Sequence, residues 1–283
     1  MRDLNFEKMG VAFQGEPGAF SEAAALQLLG SGIHPIPRAT FDATFRAIKE
    51  GAADALLVPV ENTLAGSVVR VYDLLLESGL EICGETVLRI EHHLMGCPGA
   101  TFEDVRAVAS HPVALAQCER FFEQHPALKR VPAEDTAGSV REMMARGEKS
   151  YAAIAGRQAA EQYGALILRQ SIQDNPENFT RFVLLLPPEE AQRYRSKGAT
   201  KMSLAMRLAH KPGALLALLE PFSRHGVNLL KIESRPIHGR PFEYQFYVDV
   251  EANGRDALDK ALKEVRSATS DLRVLGLYAA ARR

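Results

Sequence analysis

Cysteine is scarce in this 283-residue chain, and what little there is rules out several classes of protein. Cys83, Cys97 and Cys118 are scattered and contain no C-x-x-C pair, which excludes a disulfide framework and a zinc knuckle. His92 and His93 are adjacent, so they lack the i, i+3 or i, i+4 spacing that brings two imidazoles to one helical face, and no metal is expected. No apolar run approaches the roughly 18 residues of a membrane span. Residues 1–10 are charged and lack the apolar stretch of a secretory signal. Charge of either sign is not in excess: 34 basic and 35 acidic side chains leave a formal −1. That balance offers no footprint for nucleic acid or a membrane surface, so an anionic ligand must be held by local groups. Neither a G-x-G-x-x-G nor a Walker pattern follows any apolar run, which argues against nucleotide binding. A cytoplasmic, reducing location is the expectation.

The length suits two domains, and a chain of this size buries roughly three-quarters of its unfolded surface without staples. Through residue 186, short apolar runs alternate with helical periodicity. Strands are expected at 11–13, 55–60, 105–109, 151–154 and 183–186. Helices are expected at 20–29, from an N-cap at Ser67 to Gly79, from about 112 to 124, after Asp135-Thr136, and up to Gly164. In the third of these helices Gln117 lies two turns along. Repeated strand-to-helix units indicate α/β layering with mostly parallel sheets. Residues 188–199, beginning Pro188-Glu189-Glu190, read as a linker. Beyond them come strand 201–208, helix 214–224, strands 227–233 and 242–250, helix 255–267 and strand 272–278. That βαββαβ order in about 80 residues is the ferredoxin-like plan. The expected division is therefore 1–187, 188–199 and 200–283.

Several segments carry polar groups where a buried strand opens into a helix start, a place whose free N–H groups and dipole favour anions. One is Gly15-Glu16-Pro17-Gly18-Ala19-Phe20-Ser21-Glu22. Another puts Glu61 and Asn62 directly after an apolar strand, where polar groups need partners. In Ser110-His111-Pro112 the adjacent Ser and His point different ways and no G-x-S-x-G elbow is present, so Ser110 reads as a hydrogen-bond donor or an N-cap. Asp135 or Thr136 caps the helix after Glu134. Finally, Asn178-Phe179-Thr180-Arg181-Phe182 brings Thr180 and Arg181 to the mouth of an apolar strand.

Taken together, these segments resemble prephenate dehydratase: residues 15–22, V-P-V-E-N-T-L-A-G-S-V at 58–68, S-H-P-V-A-L-A-Q-C at 110–118, D-T-A at 135–137 and N-F-T-R-F at 178–182. The carboxy-terminal part resembles an ACT domain of the phenylalanine-sensing kind, with Gly213-Ala214-Leu215 and Glu233-Ser234-Arg235-Pro236 matching its two signatures. The departures are Thr63 where the family commonly has Ser and Val113 where Gln is common. The resemblance implies a two-lobed catalytic domain similar to type II periplasmic binding proteins. It also implies loss of water and carbon dioxide from prephenate to give phenylpyruvate, without a cofactor, in phenylalanine biosynthesis. Thr180 then matches the proton donor to the leaving hydroxyl. Glu61, Asn62, Ser110, Gln117, Glu134, Thr136, Arg181 and Phe182 match substrate-pocket positions. Phenylalanine is expected between paired ACT domains, near Gly213, Ala214, Leu215, Asn228, Glu233, Ser234, Arg235 and Pro236, which implies a homodimer or a homotetramer.

The residue types suit this chemistry. Aromatisation drives the reaction, leaving orientation and proton delivery to the protein. A guanidinium such as Arg181 binds a carboxylate bidentately. Phe179 or Phe182 is expected to keep the ring carboxylate poorly solvated. Arogenate, which carries an amine in place of the keto oxygen, is the alternative substrate, and a non-enzymatic carboxylate-binding protein is the rival of another class. A chain ending near residue 188 is expected to stay active and lose inhibition.

Overall fold

The computed structural model describes residues 6–194, 198–208, 211–237, 240–269 and 271–281, with the side chains of 240–242 and 268 left aside. In chain order the elements are β1 (Gly10–Gln14), α1 (Phe20–Leu29), β2 (His34–Arg38), α2 (Phe41–Lys49), β3 (Ala55–Asn62), β4 (Gly66–Ser67), α3 (Val69–Ser78), β5 (Glu81–Arg89) and β6 (His93–Gly96). Next come β7 (Ala107–Ser110), α4 (Pro112–Ala116), α5 (Glu119–Gln124), β8 (Lys129–Pro132), α6 (Thr136–Arg146), β9 (Tyr151–Ala155), α7 (Arg157–Tyr163), β10 (Leu166–Arg169), β11 (Phe179–Leu186) and α8 (Pro188–Tyr194). The last are β12 (Lys201–Arg207), α9 (Ala214–Arg224), β13 (Asn228–Ile237), β14 (Arg240–Glu251), α10 (Arg255–Ala268) and β15 (Asp271–Tyr278).

The chain divides into two compact units. The first holds residues 6–72 and 86–182 and is itself two-lobed. In one lobe β1 is flanked in parallel by β2 and β3, and the strand order continues from β3 to β11. The apolar runs expected from the sequence form these strands because both faces are covered: Val11, Ala12, Phe13 and residues 55–58 have no exposure. The other lobe has the order β10-β6-β9-β7-β8, with β7 parallel to β8 and β9. Here the expectation of mostly parallel pairing fails. β6 runs antiparallel to both its neighbours, β10 and β9, so half the pairings of this sheet are antiparallel.

Helix starts follow local chemistry. The Thr40 hydroxyl accepts from the Ala43 amide, Asp135 accepts from Gly138, and Glu22 reaches back to the Gly18 amide at the head of α1. Helices α6 and α7 end on Gly147 and Gly164, both left-handed. Ser67 is not an N-cap: it pairs with Glu61 in the short strand β4, and α3 starts two residues later. The expected helix 112–124 is broken into α4 and α5. Gln117 closes α4, and the Asp174 carboxylate accepts from the Glu119 and Arg120 amides to start α5 afresh.

The second unit holds residues 73–85 and 183–281. Its βαββαβ part has strand order β13-β14-β12-β15, all antiparallel, packed on α9 and α10 through Leu204, Leu218, Phe222, Val250, Leu258 and Val265. The division differs from a cut near residue 188. Residues 73–85 belong here because β15 pairs with β5 at Gly276 and Ile82, and Arg273 donates to the Leu76 carbonyl. In addition, Lys201 is buried against Glu85. The start of the expected linker is helical: Pro188 opens α8, where its missing N–H costs nothing, and Glu189 and Glu190 suit the positive end.

Candidate active site

Because β11 lies beside β3, the end of one strand is level with the start of the other. The Thr63 amide donates to the Phe179 carbonyl, and the Thr63 hydroxyl bonds the Glu177 carbonyl and the Phe179 amide, each at 3.0 Å. A serine would make the same bonds, so Thr63 is a neutral departure from the family pattern. On β11, side chains alternate: Thr180 and Phe182 turn inward while Arg181 faces the other way.

Asn62 organises this corner. Its Oδ1 accepts from the backbone amides of Leu64 at 3.0 Å and Ala65 at 2.8 Å, which fixes the orientation of the amide. Its Nδ2 therefore faces Asn178 Oδ1 at 2.8 Å and Thr180 Oγ1 at 2.9 Å, with the Phe179 carbonyl third at 3.1 Å. Two hydrogens serve the two nearest acceptors. Thr180 Oγ1 thus receives a hydrogen bond, and its own hydrogen meets no acceptor among the described residues. Gln117 extends the arrangement, with its Oε1 2.9 Å from both Asn178 Nδ2 and His92 Nε2.

The expected site residues fall into two sets. Asn62, Gln117 and Thr180 are joined as described, and Arg181 lies 3.6 Å from Glu61, so the guanidinium already has an anion beside it. Glu134 and Thr136 instead line a cavity of about 440 Å³ with Gln14, Phe20, Asp42, His111 and Asp135. Asp135 is held above the usual carboxylate range by burial, with Glu16 adding to the effect and the Gly138 amide and His111 opposing it. Packing nearby is close: a Cβ on Gly156 would stand 2.7 Å from the Phe20 ring, and one on Gly18 2.8 Å from Ala159 Cα.

Two expected pocket residues are placed otherwise. Ser110 has no exposure and donates to the Ile154 carbonyl at 2.6 Å; His111, not Ser110, caps α4 by accepting from Val113. Phe182 is only 2% exposed because strand alternation points it into the core. Two residues without an expected role prove central. Asn178 is completely buried between Asn62 and Gln117, and His92 is 2% exposed at the far end of the chain of amides. Asn178 lies inside the N-F-T-R-F run, but nothing in the spacing linked His92 to it.

In the second unit, Gly213 is left-handed (φ 77°) ahead of α9, and Leu215 is exposed on that helix's first turn. Asn228 opens β13, along which Ser234 and Pro236 are exposed while Glu233 and Arg235 are half-buried.

Fold and site define a class: a two-lobed, type II periplasmic-binding-like α/β enzyme joined to a ferredoxin-like domain. The prephenate dehydratase family model matches residues 11–190 and the ACT domain model residues 202–267. The chain belongs to the prephenate dehydratase family and carries an ACT domain after the dehydratase part. It is 37% identical over 291 residues to arogenate dehydratase/prephenate dehydratase 1, chloroplastic, of Arabidopsis thaliana, covering 98% of this chain and 73% of that one. Prephenate dehydratase in complex with L-Phe from Arthrobacter aurescens is 31% identical, with a TM-score of 0.82 over 95% of this chain and 90% of that one. A structure described as GqqA, a novel type of quorum quenching acylase, is 35% identical, with a TM-score of 0.84 over 95% of this chain and 97% of that one.

Proposed function

We propose that the chain converts prephenate to phenylpyruvate, water and carbon dioxide with Thr180 as the proton donor to the departing hydroxyl. The observation that carries this reading is the Asn62–Thr180 hydrogen bond. By donating to Oγ1, Asn62 leaves the hydroxyl hydrogen available for transfer and stabilises negative charge that builds on the oxygen as the proton leaves. A threonine is a weak acid, so transfer accompanies C–O cleavage. Helix starts near Glu134 and Thr136 supply amides for a carboxylate, and Arg181 supplies a guanidinium that a substrate carboxylate would share with Glu61. The Ser110–His111 pair does not support an acyl-transfer reading, since the hydroxyl is buried and committed to a carbonyl. The test is direct: absorbance of phenylpyruvate after mixing with prephenate, beside detection of the phenylalanine that arogenate would give. Turnover of prephenate supports the reading; no product from either substrate sinks it.

For the ACT domain, the reading is a phenylalanine site built from residues 213–215, Asn228 and residues 233–236, completed by a second copy. Supporting it, β13 is an edge strand, and Leu215, Leu216, Ile232 and Tyr244 are exposed at 39%, 71%, 40% and 38%. Because residues 73–85 group with this domain, substitution tests regulation better than truncation near 188. Leu215→Asp should keep kcat and abolish inhibition by phenylalanine; inhibition unchanged in that variant would place the site elsewhere. No helix among the described residues is long and apolar enough to cross a membrane. A cytoplasmic location goes with the family's role in phenylalanine biosynthesis and would be checked by fractionation.

A further inference from the structure

We infer that His92 is a positioning residue for Thr180, acting through Gln117, Asn178 and Asn62 to fix the amide that holds the Thr180 hydroxyl. The inference rests on the reading of Thr180 as proton donor. Orientation passes along the chain without choice. The Leu64 and Ala65 amides require Asn62 to present Oδ1 to them and Nδ2 to Asn178. Asn178 must then offer Oδ1 to Asn62 and Nδ2 to Gln117, and Gln117 must turn Oε1 toward both Asn178 and His92. An acceptor there demands a proton on His92 Nε2.

The rest of the ring agrees with that tautomer. His92 Nδ1 is buried with no hydrogen-bond partner, which a bare nitrogen tolerates far better than an N–H. Burial also lowers the pKa of His92, keeping the ring neutral. The His92 backbone is anchored on both sides and its ring has an aromatic neighbour. The His92 amide donates to Gln173 Oε1 at 2.9 Å, the Ile172 amide donates to the His92 carbonyl at 2.8 Å, and Phe20 stands edge-on at 5.8 Å between ring centres. Without a donor at Nε2, the Gln117 carbonyl oxygen keeps only its bond from Asn178. Gln117 could then rotate its amide, Asn178 would lose its acceptor, and the hold on Asn62 would loosen.

The test compares His92→Gln, His92→Asn and His92→Leu, each alone and with Asn62→Ala, in steady-state assays on prephenate. Glutamine carries an N–H the same number of bonds from the backbone as Nε2; asparagine ends one bond short. His92→Asn and His92→Leu should lower kcat about tenfold, the worth of one hydrogen bond, while KM moves less than about twofold. His92→Gln should stay within about threefold of the unaltered chain. Effects should not multiply with Asn62→Ala, because both act through one path. Full kcat in His92→Asn, equal losses in the Gln and Asn variants, or multiplicative losses would each overturn the assignment. Thr180→Val, assayed alongside, separates the two ideas. If it is nearly inactive while His92→Asn is normal, only the positioning role fails; if Thr180→Val is fully active, the parent reading fails.

Discussion

Replacing Asn178 by Asp tests the chain of amides at its most buried point. Asn178 has no exposure; its Nδ2 donates to Gln117 Oε1 at 2.9 Å and its Oδ1 accepts from Asn62 at 2.8 Å. A protonated carboxyl reproduces both bonds, since its O–H replaces the amide N–H. An ionised one leaves two oxygens facing each other without a proton and an anion without water. Burial therefore raises the pKa of the introduced carboxyl above its unfolded value. With the folded pKa raised, the variant's stability is full below the unfolded value and is lost as pH rises through the folded one. An uncompensated buried charge costs about 3–5 kcal/mol. A charge-assisted bond from Asn62 returns about 1.5–3 kcal/mol. The net loss is about 1–3 kcal/mol, or roughly 2–10 °C in Tm for a protein of this size. Calorimetry of Asn178→Asp and the unaltered chain from about pH 4.5 to 8 should show a Tm gap that opens with pH. Prephenate turnover should fall over the same range. A constant gap would refute the assigned orientation, because an amide turned the other way would present N–H groups of Gln117 to the carboxylate and stabilise it.

Asp135 is held above the ordinary carboxylate range by burial, so its ionisation costs stability as pH rises through its folded pKa. Asn also accepts from the Gly138 amide but cannot ionise. Asp135→Asn should therefore raise stability in urea at pH 7, with the gain vanishing at acid pH; a pH-independent difference would contradict the shift. In the second unit, Lys201 Nζ lies 2.8 Å and 2.9 Å from the Glu85 oxygens with side-chain exposures of 8% and 3%, and the Ala281 amide adds a third bond. Glu85→Ala should cost about 3–5 kcal/mol by chemical denaturation, whereas Glu85→Met with Lys201→Met should recover most of it. Equal losses would show that packing, not charge pairing, dominates there.

The elements legible in the sequence were those whose pattern is local. Helices α1 and α9 and their capping glycines, the apolar strands β1, β3 and β9, and the order of the carboxy-terminal domain all follow from period and punctuation. What stayed hidden depends on contacts between distant residues. The break between α4 and α5 is made by Asp174, some 55 residues away, whose carboxylate caps a helix start that spacing alone cannot show. Strands β2, β6, β8 and β10 are short and half-polar, and only their neighbours make them strands. The sequence places Phe182 beside Thr180 and Arg181, but strand alternation buries it. Asn62 and Thr180 were singled out from their motifs, but the bond between them, and the path through Asn178 to His92, exists only because β11 lies beside β3.

The sharpest test is the kcat of Thr180→Val on prephenate, a substitution that keeps the shape at a site 8% exposed and removes only the hydroxyl. General-acid catalysis contributes roughly 10²–10⁴-fold, so kcat should fall by about that factor with KM changed only a few-fold and Tm nearly unchanged. A kcat within about threefold of the unaltered chain would contradict the account at its centre.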